Sequence, residues 1–175
     1  GLGNQFLANI REVDAIAHVL RCFEDGDITH VEGKIDPLAD ADTVETELML
    51  ADLESLEKRE DGLRKKAAAK DKEALAELEL VELALAELRE GRPARKADIP
   101  ENRARDWKNL QLITSKPVIY VCNIEEDSAE SGNSLSAKVT EKAAAENAEA
   151  VVISARIEEE LAQLDDAERL EYLET

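Results

Sequence analysis

Val118-Ile119-Tyr120-Val121-Cys122-Asn123-Ile124-Glu125-Glu126 is the stretch on which the fold turns. An apolar run enters through Lys116-Pro117 and stops at an asparagine, with two carboxylates close behind. A short aliphatic run closed by polar residues predicts a strand buried on both faces, as in a parallel sheet. Two other runs have the same form. Ala15 to Phe23 ends in the turn cluster Glu24-Asp25-Gly26-Asp27, and Ala150-Val151-Val152-Ile153 ends at Ser154-Ala155. An Ala-rich stretch over 135–147 predicts a crossover helix between the second and third strands, and the acidic 157–173 predicts another after them. A short amphipathic helix is expected over 4–12, with Phe6, Leu7 and Ile10 on its apolar side. The order of elements is that of an α/β domain with a parallel sheet and crossover helices.

Between the first and second strands the texture changes. Residues 28–41, with Gly33 and Pro37, read as a loop. Thr43 to Glu60 then forms a helical pattern, with Met49, Leu53 and Leu56 at coiled-coil spacing. Asp61-Gly62 and the lysine-rich segment from Lys65 to Lys72 are expected to interrupt it near a tip. A second helix runs from about Lys72 to Glu90, where Ala74, Leu78, Val81, Leu85 and Leu88 follow a heptad seam, and Gly91 and Pro93 stop it. Two antiparallel helices of about 18 residues, each about 27 Å long, make a projecting hairpin. A further helix with the single Trp107 is expected over 101–112. The division is therefore 1–41, an inserted helical hairpin domain over 42–112, and 113–175 as the rest of the α/β domain.

The chain has 175 residues and a net charge of −19, which argues against indiscriminate nucleic-acid binding or a DNA sequence reader. The charge is unevenly placed. Residues 58–108 carry +2 and the remainder −21. No run approaches the roughly 20 apolar residues of a membrane span, and no signal-peptide pattern opens the chain, so a soluble cytoplasmic protein without a membrane partner is expected. Cys22 and Cys122, each in an apolar run, read as two reduced, buried thiols. Two histidines and no Cys-x-x-Cys leave no zinc site to propose. Gly1-Leu2-Gly3-Asn4 reads like the interior of a domain, so the opening looks like a cut.

In open α/β sheets ligands bind beyond the carboxyl ends of the strands, and two polar motifs stand there. Asn123 with Glu126 can meet a purine edge, because an Asn amide both donates and accepts and a carboxylate three residues later can hold a base or a neighbouring loop. Ser154-Ala155 offers backbone N–H groups from another side. Asn-x-x-Glu by itself is also a common strand-end turn. A buried strand, Asn-x-x-Glu, a helix, another strand and Ser-Ala form a more specific order, that of the base-binding motifs of P-loop GTPase-type domains. The tip of the hairpin makes a second offer. Lys58, Arg59, Arg64, Lys65, Lys66, Lys70 and Lys72 stand against Glu60, Asp61 and Asp71, a net +4 suited to phosphate backbones, or equally a solvated helical tip. His18 reads as a core residue inside a strand, and His30 as a polar loop residue.

The sequence resembles the YchF family, the Obg-like ATPases of the translation-factor-related P-loop GTPases. The resemblance is carried by Gly1 to Glu12, by Ala15-Ile16-Ala17-His18-Val19 with Arg21-Cys22-Phe23-Glu24, by His30-Val31 and Gly33-Lys34, by Lys116-Pro117 and Asn123 to Glu126, and by Glu158 to Leu170. It implies an internal fragment of a nucleotide-binding domain interrupted by a helical hairpin, without the phosphate-binding loop and without the C-terminal TGS domain. The implied activity is a ribosome-associated switch that hydrolyses ATP, or GTP, with Mg²⁺ held by residues outside this chain and ribosomal RNA near the hairpin. Asn123 and the backbone of Ile124 would face the base, Glu126 would occupy the altered specificity position, and Ser154-Ala155 would back the ring. His30 falls where the family places a histidine that assists the attacking water. The rival reading is a non-enzymatic module that binds RNA or protein through its hairpin.

Overall fold

The structure, a computed structural model, describes residues 3–24, 34–165 and 168–169. His30 and Gly33 lie outside the described residues, as does most of the chain after Asp165. The chain divides into two compact units, residues 1–16 with 42–117 and residues 17–41 with 118–175.

The first unit is helical. Helix α1 covers Asn4–Arg11, and strand β1, Ile16–Arg21, begins at its boundary. Helix α2 runs over Pro37–Ala68 and α3 over Lys72–Arg89. Two sequence expectations need correction here. Residues 37–41 are helical rather than loop, because Asp36 accepts the Ala39 N–H at 3.1 Å and Pro37, whose missing N–H costs nothing in a first turn, is set for a helix start. The helix also continues through Asp61-Gly62. One helical glycine costs only about 1 kcal/mol. Leu56 and Leu63 are buried on either side of it, and Lys58–Glu54, Arg64–Glu60 and Lys65–Asp61 pair at one-turn spacing.

The tip is a tight turn. Lys70 adopts a left-handed φ of 67°, Asp71 N–H returns to Lys66 O at 3.2 Å, and the Asp71 carboxylate caps α3 by accepting from Glu73 and Ala74 N–H. Gly91, at φ +74°, closes α3 in the same way, with Arg92 N–H on Glu87 O at 3.0 Å.

The heptad residues of α3 are all buried, but so are Leu80 and Ala84 on a second side. The buried cluster therefore extends beyond the helix pair to Ala94, Leu110 and Leu112, with Met49, Leu53 and Trp107 packed against it. In place of one helix over 101–112 there is a 3₁₀ turn, Glu101–Arg103, then α4, Ala104–Asn109, ended by Gln111 at φ 54°. The return segment is held by Asp52, almost fully buried in α2. Its carboxylate accepts from Ile113 N–H (2.9 Å), Thr114 N–H (2.8 Å) and Thr114 Oγ1 (2.7 Å). Burial pushes its pKa above the ordinary value, while the Thr114 and Ile113 donors and Arg11 oppose that rise.

The second unit is the sheet. Strands β2, Val118–Asn123, and β3, Glu149–Ile153, pair in parallel, with Val121 beside Val151 and Asn123 beside Ile153. The strand order is β1-β2-β3. Helix α5, Ser134–Ala145, makes the crossover, and α6, Ala155–Ala162, follows β3. One sheet face is closed: Leu20, Tyr120 and Cys122 are buried, as are Val139 and Ala143 of α5. The expectation of strands buried on both faces fails for the other side. Val19, Ile119 and Val151 remain 62%, 37% and 42% exposed, because α5 covers only the face to which alternate residues point.

The two cysteines are free and buried, as read from the sequence. Burial raises both pKa values, that of Cys22 to about 12 with the Cys122 thiol adding to the rise, whereas for Cys122 the contact with Cys22 opposes it. His18 is half-buried with its ring 6.0 Å from that of Tyr120, and burial lowers its pKa.

Candidate functional site: a polar cavity at the strand ends

Residues after β1, β2 and β3 meet at the carboxyl ends of the strands, where the chain leaves the sheet and its backbone groups need new partners. A cavity of about 390 Å³ opens there, lined by Phe23, Glu24, Asn123, Ile124, Glu125, Glu126 and Arg156.

Asn123, the last residue of β2, accepts the Ala155 N–H on Oδ1 at 2.9 Å. That bond fixes the amide's orientation, since only the oxygen can accept. The amide nitrogen makes no hydrogen bond among the described residues and so remains an available donor beside the cavity. Ile124 is buried, and its N–H continues the ladder to Ile153 O at 2.9 Å, while its carbonyl accepts no hydrogen bond among the described residues. Ser154 is buried and caps α6 through Oγ, which accepts from Ile157 N–H at 3.3 Å. Ser154-Ala155 therefore shapes the site through Asn123 and the helix cap, and the Ala155 N–H is already occupied.

The two carboxylates of the motif have different surroundings. Glu125 accepts from Ser128 Oγ at 2.6 Å and from Asn133 Nδ2 at 2.9 Å, and these bonds, Ser128 first, hold its pKa below the usual carboxylate range. Asn133 also donates to Cys22 O at 2.6 Å and caps α5 with Ser136 in a reciprocal capping box, so a single amide ties together the ends of β1, the motif and α5. Gly132 just before it sits at φ +75°, where an added Cβ would lie 2.8 Å from Ser136 Oγ. Glu126 is partly exposed and meets Arg156 of α6, Nε to Oε2 at 3.7 Å.

Phe23, Arg21 and Arg156 were missed in the sequence reading. The Arg21 guanidinium lies 5.0 Å from the Phe23 ring centroid, with Nε and one Nη buried and without a hydrogen-bond partner among the described residues, where the aromatic face is the compensation offered to this cation. A lone aromatic after a buried strand in a chain this poor in aromatic residues was the available signal. Arg156 carried none, since one Arg in an acidic helix is unremarkable in sequence.

At the hairpin, the seven basic residues divide. Arg59 and Arg64 reach across to Glu77 (3.5 Å) and Glu82 (2.8 Å) of α3, and Arg64 also meets Glu60, so they join the two helices. Lys58 and Lys65 pair within α2 with Glu54 and Asp61. Lys66, Lys70 and Lys72 are exposed and have no acidic partner among the described residues. Among those residues there is also no cluster of His, Cys, Asp and Glu suited to a metal ion, and no helix long and apolar enough to cross a membrane.

No protein-family model matches the chain. Individual proteins do. It is 47% identical over 176 residues to the ribosome-binding ATPase YchF of Bacillus subtilis and 48% identical over 174 residues to that of Haemophilus influenzae. Each match covers 99% of this chain and 48% of the relative, so the chain spans about half the length of the curated relatives it matches. The structure of the Schizosaccharomyces pombe YchF GTPase superposes with a TM-score of 0.84 at 33% identity, over 99% of this chain and 48% of that one. The architecture is thus part of a P-loop GTPase-type α/β fold with a helical hairpin inserted between β1 and β2, and over 99% of its length the chain is similar to about half of a YchF-family protein.

Proposed function

We propose that this chain is the base-reading part, with its inserted hairpin, of a ribosome-associated nucleoside-triphosphatase that hydrolyses ATP and acts as a molecular switch. The observation that carries the reading is the Asn123–Ala155 hydrogen bond, which joins the two strand-end motifs across one cavity. A cavity of this size is in the range of small-molecule sites. Its groups suit a purine: a free amide donor on Asn123, the Ile124 carbonyl, the Glu126 carboxylate and the face of Phe23. Ser154 and Ala155 hold Asn123 in place.

The nucleotide phosphates and Mg²⁺ fall to residues outside this chain, and His30 is assigned to positioning the attacking water. The division proposed for the protein, 1–41 and 113–175 as nucleotide-binding parts and 42–112 as the hairpin domain, follows the same reading, as does a cytoplasmic location.

In a full-length protein carrying these residues, Asn123→Ala is expected to weaken ATP binding by about tenfold or more, since it removes a base contact and the support of Ala155. Titration with a non-hydrolysable ATP analogue measures this, and an unchanged affinity would sink the assignment.

The hairpin supports a second element of the reading. Lys66, Lys70 and Lys72 project unpaired charge at the tip, suited to ribosomal RNA, and the same feature alone would serve a non-enzymatic RNA-binding module. Reversing all three to Glu is expected to weaken ribosome co-sedimentation and to flatten its dependence on salt. Binding with the same salt slope as the parent protein removes the tip from the interface.

A further inference from the structure

We propose that Arg156 is a specificity-determining residue, which sets the choice between adenine and guanine by pairing with Glu126 at the rim of the cavity. The inference rests on the reading above that the cavity takes a purine base.

Arg156 stands in the first turn of α6, two residues after Ser154, and lines the same cavity as Asn123 and Glu126. Its Nε is 3.7 Å from Glu126 Oε2 and 3.6 Å from Glu160 Oε1 on its own helix. The side chain is 77% exposed, so it can exchange between these partners. The guanidinium is thus shared between a carboxylate that belongs to the motif and one that does not.

Purine edges differ in the order of their donors and acceptors. Guanine presents N1–H and the exocyclic N2 amine side by side, two donors that a bare carboxylate meets with both oxygens. Adenine presents one donor, the N6 amine, next to one acceptor, N1. A carboxylate alone satisfies half of that edge. A carboxylate with a guanidinium beside it offers an acceptor and a donor together, the complement of adenine. Pairing with Arg156 also reduces the negative field of Glu126, and Arg supplies a planar set of donors that Lys cannot. Glu160 acts as the competitor, drawing Arg156 back along α6.

The test is the ratio of affinities for non-hydrolysable ATP and GTP analogues in a full-length protein carrying these residues. Arg156→Ala is expected to move that ratio about 3- to 5-fold toward GTP, the range for one exposed ion pair, with the shift shrinking as salt rises. Arg156→Lys is expected to restore part of it. Glu160→Gln leaves Arg156 to Glu126 and is expected to move the ratio the other way, toward ATP. Because the side chain is so exposed, these variants keep the fold. If Arg156→Ala leaves the ratio unchanged while Asn123→Ala weakens both nucleotides, Arg156 has no part in selection and the base site stands. If Asn123→Ala leaves both affinities intact, the base site falls and the inference falls with it.

Discussion

In the helical unit Val81 and Leu85 have no accessible surface, whereas in the sheet unit Val19 keeps well over half of its own. Both regions are built from aliphatic side chains with clear periodicity, and the seam of α3 is closed where one sheet face is open, although Leu50, Leu75 and Leu83 of the helices are themselves exposed. A helix whose apolar residues spread over two sides, as in α3, is covered by α2 on one and by residues 94–112 on the other. A parallel strand projects alternate residues to two faces, and α5 covers only one. Periodicity therefore says which residues share a face, and not whether that face has a cover. The polar residues follow the same division. In the helical unit a buried carboxylate, Asp52, binds backbone to hold a loop, while in the sheet unit Glu125 is held near solvent by Ser128 and Asn133.

The largest expected effect tests the closure itself. Leu85→Ala should cost about 3 kcal/mol of folding stability in denaturant titrations of this chain, the usual loss for a buried leucine that leaves a cavity. Val19→Thr, on the open sheet face, should change it by less than about 0.5 kcal/mol. Comparable losses at the two sites would mean that Val19 is covered in solution, and the contrast between the regions would collapse.

A smaller effect concerns pH, where the two carboxylates should act with opposite signs. The folded pKa of Asp52 is raised, so the folded state binds its proton more tightly than the unfolded state does. Its contribution to stability is present below the ordinary carboxylate value and is lost as pH rises through the raised one. The folded pKa of Glu125 is lowered, so its contribution is present above the ordinary value and is lost as pH falls through the lowered one. Stability profiles from pH 7 down to about pH 3, compared with those of Asp52→Asn and Glu125→Gln, read the two slopes. Difference profiles of the same sign would show that the environment assigned to one of these groups is wrong.

Much of this was legible in the residues. Strands β2 and β3 end at cap residues that a reader can recognise, and the seam of α3 follows from Ala74, Leu78, Val81, Leu85 and Leu88, whereas Asp25, Gly26 and Asp27 of the turn expected after β1 lie outside the described residues. Other features depended on partners distant in sequence. Asp52 looks like one more acid on a charged helix until Ile113 and Thr114, some sixty residues on, are brought to it. Gly62 read as a break because local propensity was weighed without the packing of Leu56 and Leu63 on either side. At the site, Asn123, Glu126, Ser154 and Ala155 stand out by their spacing at the strand ends, and Ile124 only through the resemblance to the family. Their hydrogen bonds are not legible in the sequence, because which N–H is engaged in the ladder and which amide end is free are matters of register. His30 lies outside the described residues.

On the proposed function Asn123 serves two ends with one amide, its oxygen accepting from the Ala155 N–H and its nitrogen, without a hydrogen bond among the described residues, offered to a base. The two functions are chemically separable. An aspartate at this position would keep an acceptor for the Ala155 N–H and lose the donor, so the joint between the strand ends can persist while recognition is inverted from donating to accepting. Such a position is a pivot for drift in what the cavity prefers, because the scaffold need not be rebuilt when the preference changes.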